Sequence, residues 1–219
     1  MITYEKIKND EAINTYIKKA DESLIALGYT EHSFAHVTKV AETAAYILTS
    51  LGYDEHTKEL AKIAGYIHDI GNLVNRVEHS QSGALMAFRL LDRLGMPPED
   101  IATVITAIGN HDEGTGVAVN AVAAALILAD KTDVRRSRVR NADLTSFDIH
   151  DRVNYSVVSS KLEIDKQNMS ITLSLDIDTE ISAVMDYFEI FLTRMIMCRK
   201  AAEKLSLDFR LYINGQRLG

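Results

Sequence analysis

The segment from Asn120 to Asp133 constrains this chain more than any other. Its stretch Ala123-Ala-Ala-Leu-Ile-Leu-Ala129 has no polar face, yet it stops at a carboxylate, Asp130. A helix that is apolar all round is stable only when other elements cover it on every side. The rest of the chain up to about residue 134 reads as that cover. Ile13, Tyr16, Ile17, Ala20, Leu24 and Leu27 recur at helical spacing over residues 10–26 and stop near Gly28. A second helix is expected from Thr30 to Leu51, closed by Gly52. A third runs from Asp54 toward Asp69 and is broken by Gly71-Asn72. A fourth covers about Ser80 to Leu94 before Gly95. Pro97-Pro98 open a fifth, with Glu99 and Asp100 favourable in its first turn. The apolar segment, over 120–133, is the sixth and sits at the centre.

After about residue 155 the period changes from helical to alternating. Val158, Leu162 and Ile164 alternate with Lys161, Glu163 and Asp165, and Met169, Ile171, Leu173, Leu175 and Ile177 repeat the pattern beyond a turn at 165–168. A long amphipathic helix is expected from Thr179 to Leu205, with Ile181, Val184, Met185, Phe188, Phe191, Leu192 and Met195 on one stripe. Phe209, Leu211 and Ile213 then form a last strand. The fold class is mainly α: a helical bundle over 1–150 with a small α+β appendage over 151–219, a ββαβ unit with a three-stranded antiparallel sheet. The hairpin and last strand are too small to stand alone. They are expected to pack on the bundle, or on a second copy in a homodimer, through Phe188, Phe191 and Leu192.

The net charge of −7 argues against general nucleic-acid binding, which runs on phosphate neutralisation by Lys and Arg. The single cysteine, Cys198, excludes both an internal disulfide and a cysteine-built zinc site and suits a reducing compartment. The opening Met-Ile-Thr-Tyr-Glu-Lys carries charge where a signal peptide needs an apolar run. No stretch reaches the roughly 20 apolar residues of a membrane span. The expectation is a cytoplasmic protein with no membrane partner.

Four features bear on chemistry. His68-Asp69 ends the third helix, and adjacent imidazole and carboxylate there can splay onto one ion or two. His36 lies within the second helix among Val37, Val40, Ala41 and Ala44, with His32 one turn earlier, and a buried histidine there needs a partner. Asp130 ends the most apolar helix of the chain, where an unpaired buried carboxylate is costly. His79 and His111 sit at the ends of the fourth and fifth helices, where loops can gather side chains over a site. Taken singly, each residue has an ordinary structural explanation. His56 and His150 read as surface residues.

The ordered set His36-Val-Thr-Lys-Val40 with Ala44, then His68-Asp-Ile-Gly71, then Leu128-Ala-Asp-Lys131 resembles the HD-domain phosphohydrolase superfamily over about residues 30–135. The resemblance implies a helical bundle whose metal ligands are His36, His68, Asp69 and Asp130. The His-Asp-Ile-Gly form implies that His79 and His111 hold a second ion. Asn72 stands where the cyclic-di-GMP phosphodiesterase branch usually has a lysine, and Gly116-Val117 stands in place of Gly-Tyr-Pro, so that substrate is not carried over. His32 is expected as a substrate contact or a support behind the ligands.

Independently of the resemblance, Lys131, Arg135, Arg136, Arg138 and Arg140 fall within ten residues that hold one acid, Asp133. This places positive charge directly after a candidate ligand, and phosphate suits it. The sequence therefore points to a metal-dependent phosphohydrolase that cleaves a phosphoester or phosphoanhydride of a nucleotide-type small molecule through metal-activated water. Asp69 is expected to bridge two ions, and Lys131, Arg135, Arg136 and His32 to contact substrate. Ligands without thiolates suit one or two divalent Fe, Mn, Zn, Co or Ni ions. The alternatives are a regulatory module that holds metal and nucleotide without turnover, and a di-iron oxygenase on the same ligand framework.

Overall fold

The computed structural model describes residues 2–141 and 143–218. The bundle is built from α1 (Tyr4–Lys8), α2 (Glu11–Ala26), α3 (Phe34–Ser50), α4 (Glu55–Ile67), α5 (His79–Arg93), α6 (Pro98–Gly109) and α7 (Ala121–Lys131). Local chemistry sets the starts. Asp10, Ser33, Asp54 and Asn120 each accept a backbone N–H of the first turn, and Pro98 fills the first position of α6, where no N–H is needed. In α7 every residue from Val122 to Lys131 is buried, so the apolar segment is indeed central. α3, α4, α6 and a later helix, α9 (Val184–Lys204), all pack around it.

Two boundaries differ from the sequence expectation in ways that matter to the site. α3 begins at Phe34 rather than Thr30, because Ser33 caps it. Residues 30–33 instead form a loop tied to α2, with His32 N donating to Asp21 Oδ1 at 3.0 Å. His32 is therefore not on the α3 face, although its ring meets that of His36 edge-on at 5.5 Å. α7 ends at Lys131, which frees Asp133 to turn back toward α3.

Beyond residue 140 come α8 (Ile149–Ser156), which the alternation pattern gave no sign of, then β1 (Val157–Asp165), β2 (Ser170–Ile177), α9 (Val184–Lys204), β3 (Asp208–Ile213) and β4 (Gln216–Arg217). The sheet order is β1-β2-β3-β4, with β1–β2 and β3–β4 antiparallel but β2–β3 parallel, from Ser170↔Asp208 to Leu175↔Ile213. The expected three-stranded antiparallel sheet is thus a four-stranded mixed one. A helix between β2 and β3 carries the chain back to the end where β2 began, and so imposes a parallel pair. α9 packs on α7 and on β3. It does so through Tyr187, Phe191, Met195, Cys198, Ala201 and Ala202. Met185 and Leu192, expected on the buried stripe, are exposed. One hydrophobic cluster includes residues on both sides of position 150. No described helix is long and apolar enough to cross a membrane.

Candidate metal centre

Four histidines and two aspartates converge where α3, α4, α5, α6 and α7 meet. His36 is in the first turn of α3, and His68 caps the C-terminal end of α4 with Asp69 next to it. His79 opens α5, His111 follows the end of α6, and Asp130 lies in the last turn of α7. All six are buried. His36 Nε2 lies 3.3 Å from Asp130 Oδ1 and 3.7 Å from Asp69 Oδ2. His68 Nε2 lies 3.2 Å from Asp69 Oδ2 and 3.6 Å from Asp130 Oδ1. On the other side of the Asp69 carboxylate, Oδ1 is 3.5 Å from His79 Nε2 and 3.9 Å from His111 Nε2. The two Nε2 atoms of His79 and His111 are 3.1 Å apart.

The outer ring nitrogens explain why the inner ones gather. His68 Nδ1 donates to Gly65 O at 2.8 Å, His79 Nδ1 to Arg76 O at 3.1 Å and His111 Nδ1 to Ile108 O at 2.6 Å. A carbonyl can only accept, so each Nδ1 carries the proton and each Nε2 of the neutral ring is a lone-pair donor. His36 Nδ1 donates in the same way to Asp133 Oδ2 at 2.8 Å. This outward anchoring is the usual support of metal-bound histidine. The inward nitrogens of His36 and His68 are buried with no hydrogen-bond partner. Lone pairs facing carboxylates call for positive charge between them. Two donors that each sit about 2.0–2.2 Å from one ion lie roughly 3.0–3.5 Å apart, which matches most of these separations. His36, His68 and Asp130, and again His68, Asp69 and His111, bring ligand atoms within 4.8 Å of one another, so either group could hold a metal ion.

The neighbouring carboxylates and cations bias protonation across the cluster. Burial alone would depress His68, but the Asp69 and Asp130 carboxylates outweigh it and push its imidazolium up to about 10. Burial works against ionised Asp69 and Asp130 as well, yet His68 beside the first and Lys131 beside the second hold both well below the usual carboxylate range. His111 and His32 are driven well below the ordinary histidine value by burial, with His68 and Lys131 adding to the effect at His111 and Arg138 adding to it at His32.

Supporting residues fix the carboxylate. Buried Asn72 donates through Nδ2 to both Asp69 O and Asp69 Oδ1 at 2.9 Å, and Arg76 Nη1 donates to Asn72 Oδ1 at 3.2 Å. Gly71 lets the chain turn tightly here: a Cβ on it would stand 1.9 Å from His79 O and 2.5 Å from Gly83 N. The His-Asp-Ile-Gly turn thus brings the start of α5 down beside Asp69.

The centre opens into a cavity of about 710 Å³ whose wall includes His32, Asp69, His79, His111, Asp130 and Lys131. Lys131 Nζ contacts Asp130 Oδ2 at 2.7 Å. Of the basic stretch, Lys131 and Arg138 reach this wall and Arg135 and Arg136 do not. Arg135 instead pairs with Asp133 and Glu31, and Arg136 donates to Tyr155 O and stacks on the Tyr155 ring. Arg135 and Arg136, expected to contact substrate, thus stand outside this wall with their side chains engaged by neighbouring structure. His150, which is exposed, lies on the cavity wall, and His56 pairs with Asp100 at 2.7 Å. Sequence reasoning missed Asp133, Glu113, Arg76 and Arg194. Asp133 had a signal, being the lone acid in a basic stretch. Arg194 had none, since only the fold brings α9 to this wall.

The match to the HD domain family model covers residues 33–147. The chain is 28% identical over 162 residues to an uncharacterized protein of Methanocaldococcus jannaschii, a match that covers 64% of this chain and 62% of that relative. It is similar to the crystal structure of a predicted HD superfamily hydrolase from an uncultured Thermotogales bacterium, with a TM-score of 0.44 and 26% identity, over 57% of this chain and 67% of that one. Because the family model spans more than half of the sequence, and that span carries His36, His68, Asp69, His79, His111 and Asp130, this chain belongs to the HD domain family.

Proposed function

We propose that the chain is a metal-dependent phosphohydrolase acting on a phosphoester or phosphoanhydride of a nucleotide-type small molecule. The observation that carries this reading is the Asp69 carboxylate, which has one oxygen beside His36 and His68 and the other beside His79 and His111. A carboxylate so placed would serve two divalent ions, one held with each pair of histidines. His36, His68 and Asp130 would hold one ion, and His79 and His111 the other, with Asp69 shared. A divalent ion held there supplies a Lewis acid for a phosphoryl oxygen and lowers the pKa of water toward about 7.

The chain's own residues do the rest. Lys131, buried and held by Asp130, meets substrate phosphate as a fixed positive charge. The carbonyls of Gly65, Arg76 and Ile108 keep the histidine rings from rotating, so the donor set is preorganised. A cavity of about 710 Å³ is of the size that takes a nucleotide-sized molecule.

Metal analysis beside a screen of phosphate esters tests the reading. The expected result is more than one bound divalent ion per chain and turnover of at least one ester. His68→Ala and Asp69→Ala should both abolish metal binding and turnover while the helical signal persists. Full metal content and turnover in either variant would sink the assignment. Iron with oxygen consumption but no ester hydrolysis would favour the oxygenase alternative.

A further inference from the structure

Among the described residues on the cavity wall, Arg194 is the only basic one that comes from the C-terminal part of the chain. Its guanidinium is fixed from two sides. Nε donates to Glu113 Oε1 at 2.7 Å, and the group lies 4.4 Å from the centroid of the Phe191 ring, one turn back on α9. Lys131 Nζ reaches the same Glu113 oxygen at 3.5 Å. Lys131 also pairs with Asp130 Oδ2 at 2.7 Å, so Asp130 and Glu113 together face the two cations. A guanidinium offers five N–H donors, and a carboxylate paired with it often takes a parallel two of them. Here the carboxylate takes Nε, and the terminal Nη groups donate to no described residue. A guanidinium held at its neck and its face, with its fork free beside a buried lysine, fits a tetrahedral oxyanion.

The part of the wall formed by α8 has the opposite character. Asp148, Asp151 and Asn154 line it together with His150, and no Lys or Arg of that helix does. Asn154 donates its Nδ2 to His150 O, which leaves its Oδ1 as an acceptor. Arg152, the one arginine of α8, turns toward Asp186 on α9 at 3.8 Å. A second phosphate would be repelled by this wall, whereas hydroxyl or amino groups would find acceptors.

We propose that Arg194 binds substrate phosphate together with Lys131, and that the substrate is a phosphate monoester whose alcohol portion carries hydroxyl or amino donors received by Asp148, Asp151 and Asn154. This rests on the hydrolase reading above and narrows it. The C-terminal appendage is then a contributor to the site as well as a support for it.

The test uses the full metal-loaded chain and two kinds of readout. Inorganic phosphate, titrated by calorimetry, should bind at least tenfold more weakly to Arg194→Gln than to wild type. Arg194→Lys should recover part of the loss, because it keeps the charge and loses the fork. Arg210→Gln removes the same charge from β3 and should leave phosphate binding unchanged, which separates local contact from bulk electrostatics. In turnover, Arg194→Gln should raise KM by tenfold or more with a much smaller effect on kcat. A nucleoside monophosphate should have a kcat/KM several-fold above that of phenyl phosphate, and Asp151→Asn should narrow the gap. Wild-type phosphate affinity and KM in Arg194→Gln would overturn the anion role while leaving the hydrolase reading intact. A nucleoside preference that is absent, or untouched by Asp151→Asn, would overturn the donor role. Arg194-dependent phosphate binding in a chain that hydrolyses no ester would instead remove the hydrolase reading and keep the anion site.

Discussion

Asp133 shows how much of the site depends on a residue that holds no place among the candidate ligands. Its Oδ2 accepts from His36 Nδ1, while Lys39, Arg135 and Arg138 surround it. Burial opposes its charge, but the bond from His36 and the neighbouring cations hold it far below the usual carboxylate range. An ionised partner locks the ring's tautomer and orientation. Asp133→Asn should therefore weaken metal affinity by about 10–100-fold with little change in fold, and metal titration by calorimetry checks this. Glu113 makes a second prediction, in pH. Burial raises its carboxyl, but Lys131 and Arg194 outweigh that and lower it to about 2. A depressed carboxylate stabilises the fold above its unfolded value, and that contribution is lost as pH falls through the folded value. Glu113→Gln should thus melt below wild type above about pH 5, and the gap should close as pH falls toward 2. Melting curves that stay parallel across that window would contradict the pairing. At this scale the sequence was legible where a residue's type conflicted with its surroundings, as with Asp130 at the end of an apolar helix. It was illegible where the partner is distant in the chain, as with Arg194 and Glu113.

Element boundaries tell a related story. The helices that carry the candidate ligands were readable from apolar periodicity, because each buries one stripe against the next. α3 was misplaced at its start, since a Ser cap and a tie to Asp21 decided it and periodicity did not. α8 was missed because eight residues with polar neighbours give no period to read. The parallel β2–β3 pair was missed because alternation fixes which face of a strand is buried and says nothing of its direction. Gly71 is where element packing and chemistry meet. A methyl group there would overlap the backbone of α5 at His79 O and Gly83 N, atoms that cannot rotate away. Gly71→Ala should cost at least about 1–3 kcal/mol of stability, read from the denaturant midpoint. Because relief requires α5 to retreat, the variant should also move His79 away from Asp69, so any metal content that depends on His79 should fall before the helical signal does. Equal stability and full metal content would show that the turn has slack that its contacts do not suggest.

Across the whole molecule, the question is what the C-terminal ββαββ unit does for the bundle. α7 is apolar all round, and α9 supplies one side of its cover with Phe191, Met195 and Cys198, each buried. Phe191 also backs Arg194, so one side chain serves both the core and the cavity wall. A bundle that ends near residue 154 would expose that side of α7, a larger apolar patch than monomers usually tolerate. It should aggregate, or be recovered only with a partially unfolded C-terminal half. The point variant isolates packing from deletion. Phe191→Ala in the full chain should cost about 3–5 kcal/mol, since its ring is 2% exposed. Leu192→Ala, with a side chain 51% exposed one residue on, should cost far less. The contrast between adjacent positions is the discriminating measurement. If the unit were an independent attachment, both substitutions would leave the bundle's unfolding midpoint alone, and the truncated chain would stay soluble with its metal bound. If α9 is part of the core, Phe191→Ala lowers the midpoint for the whole molecule in one transition.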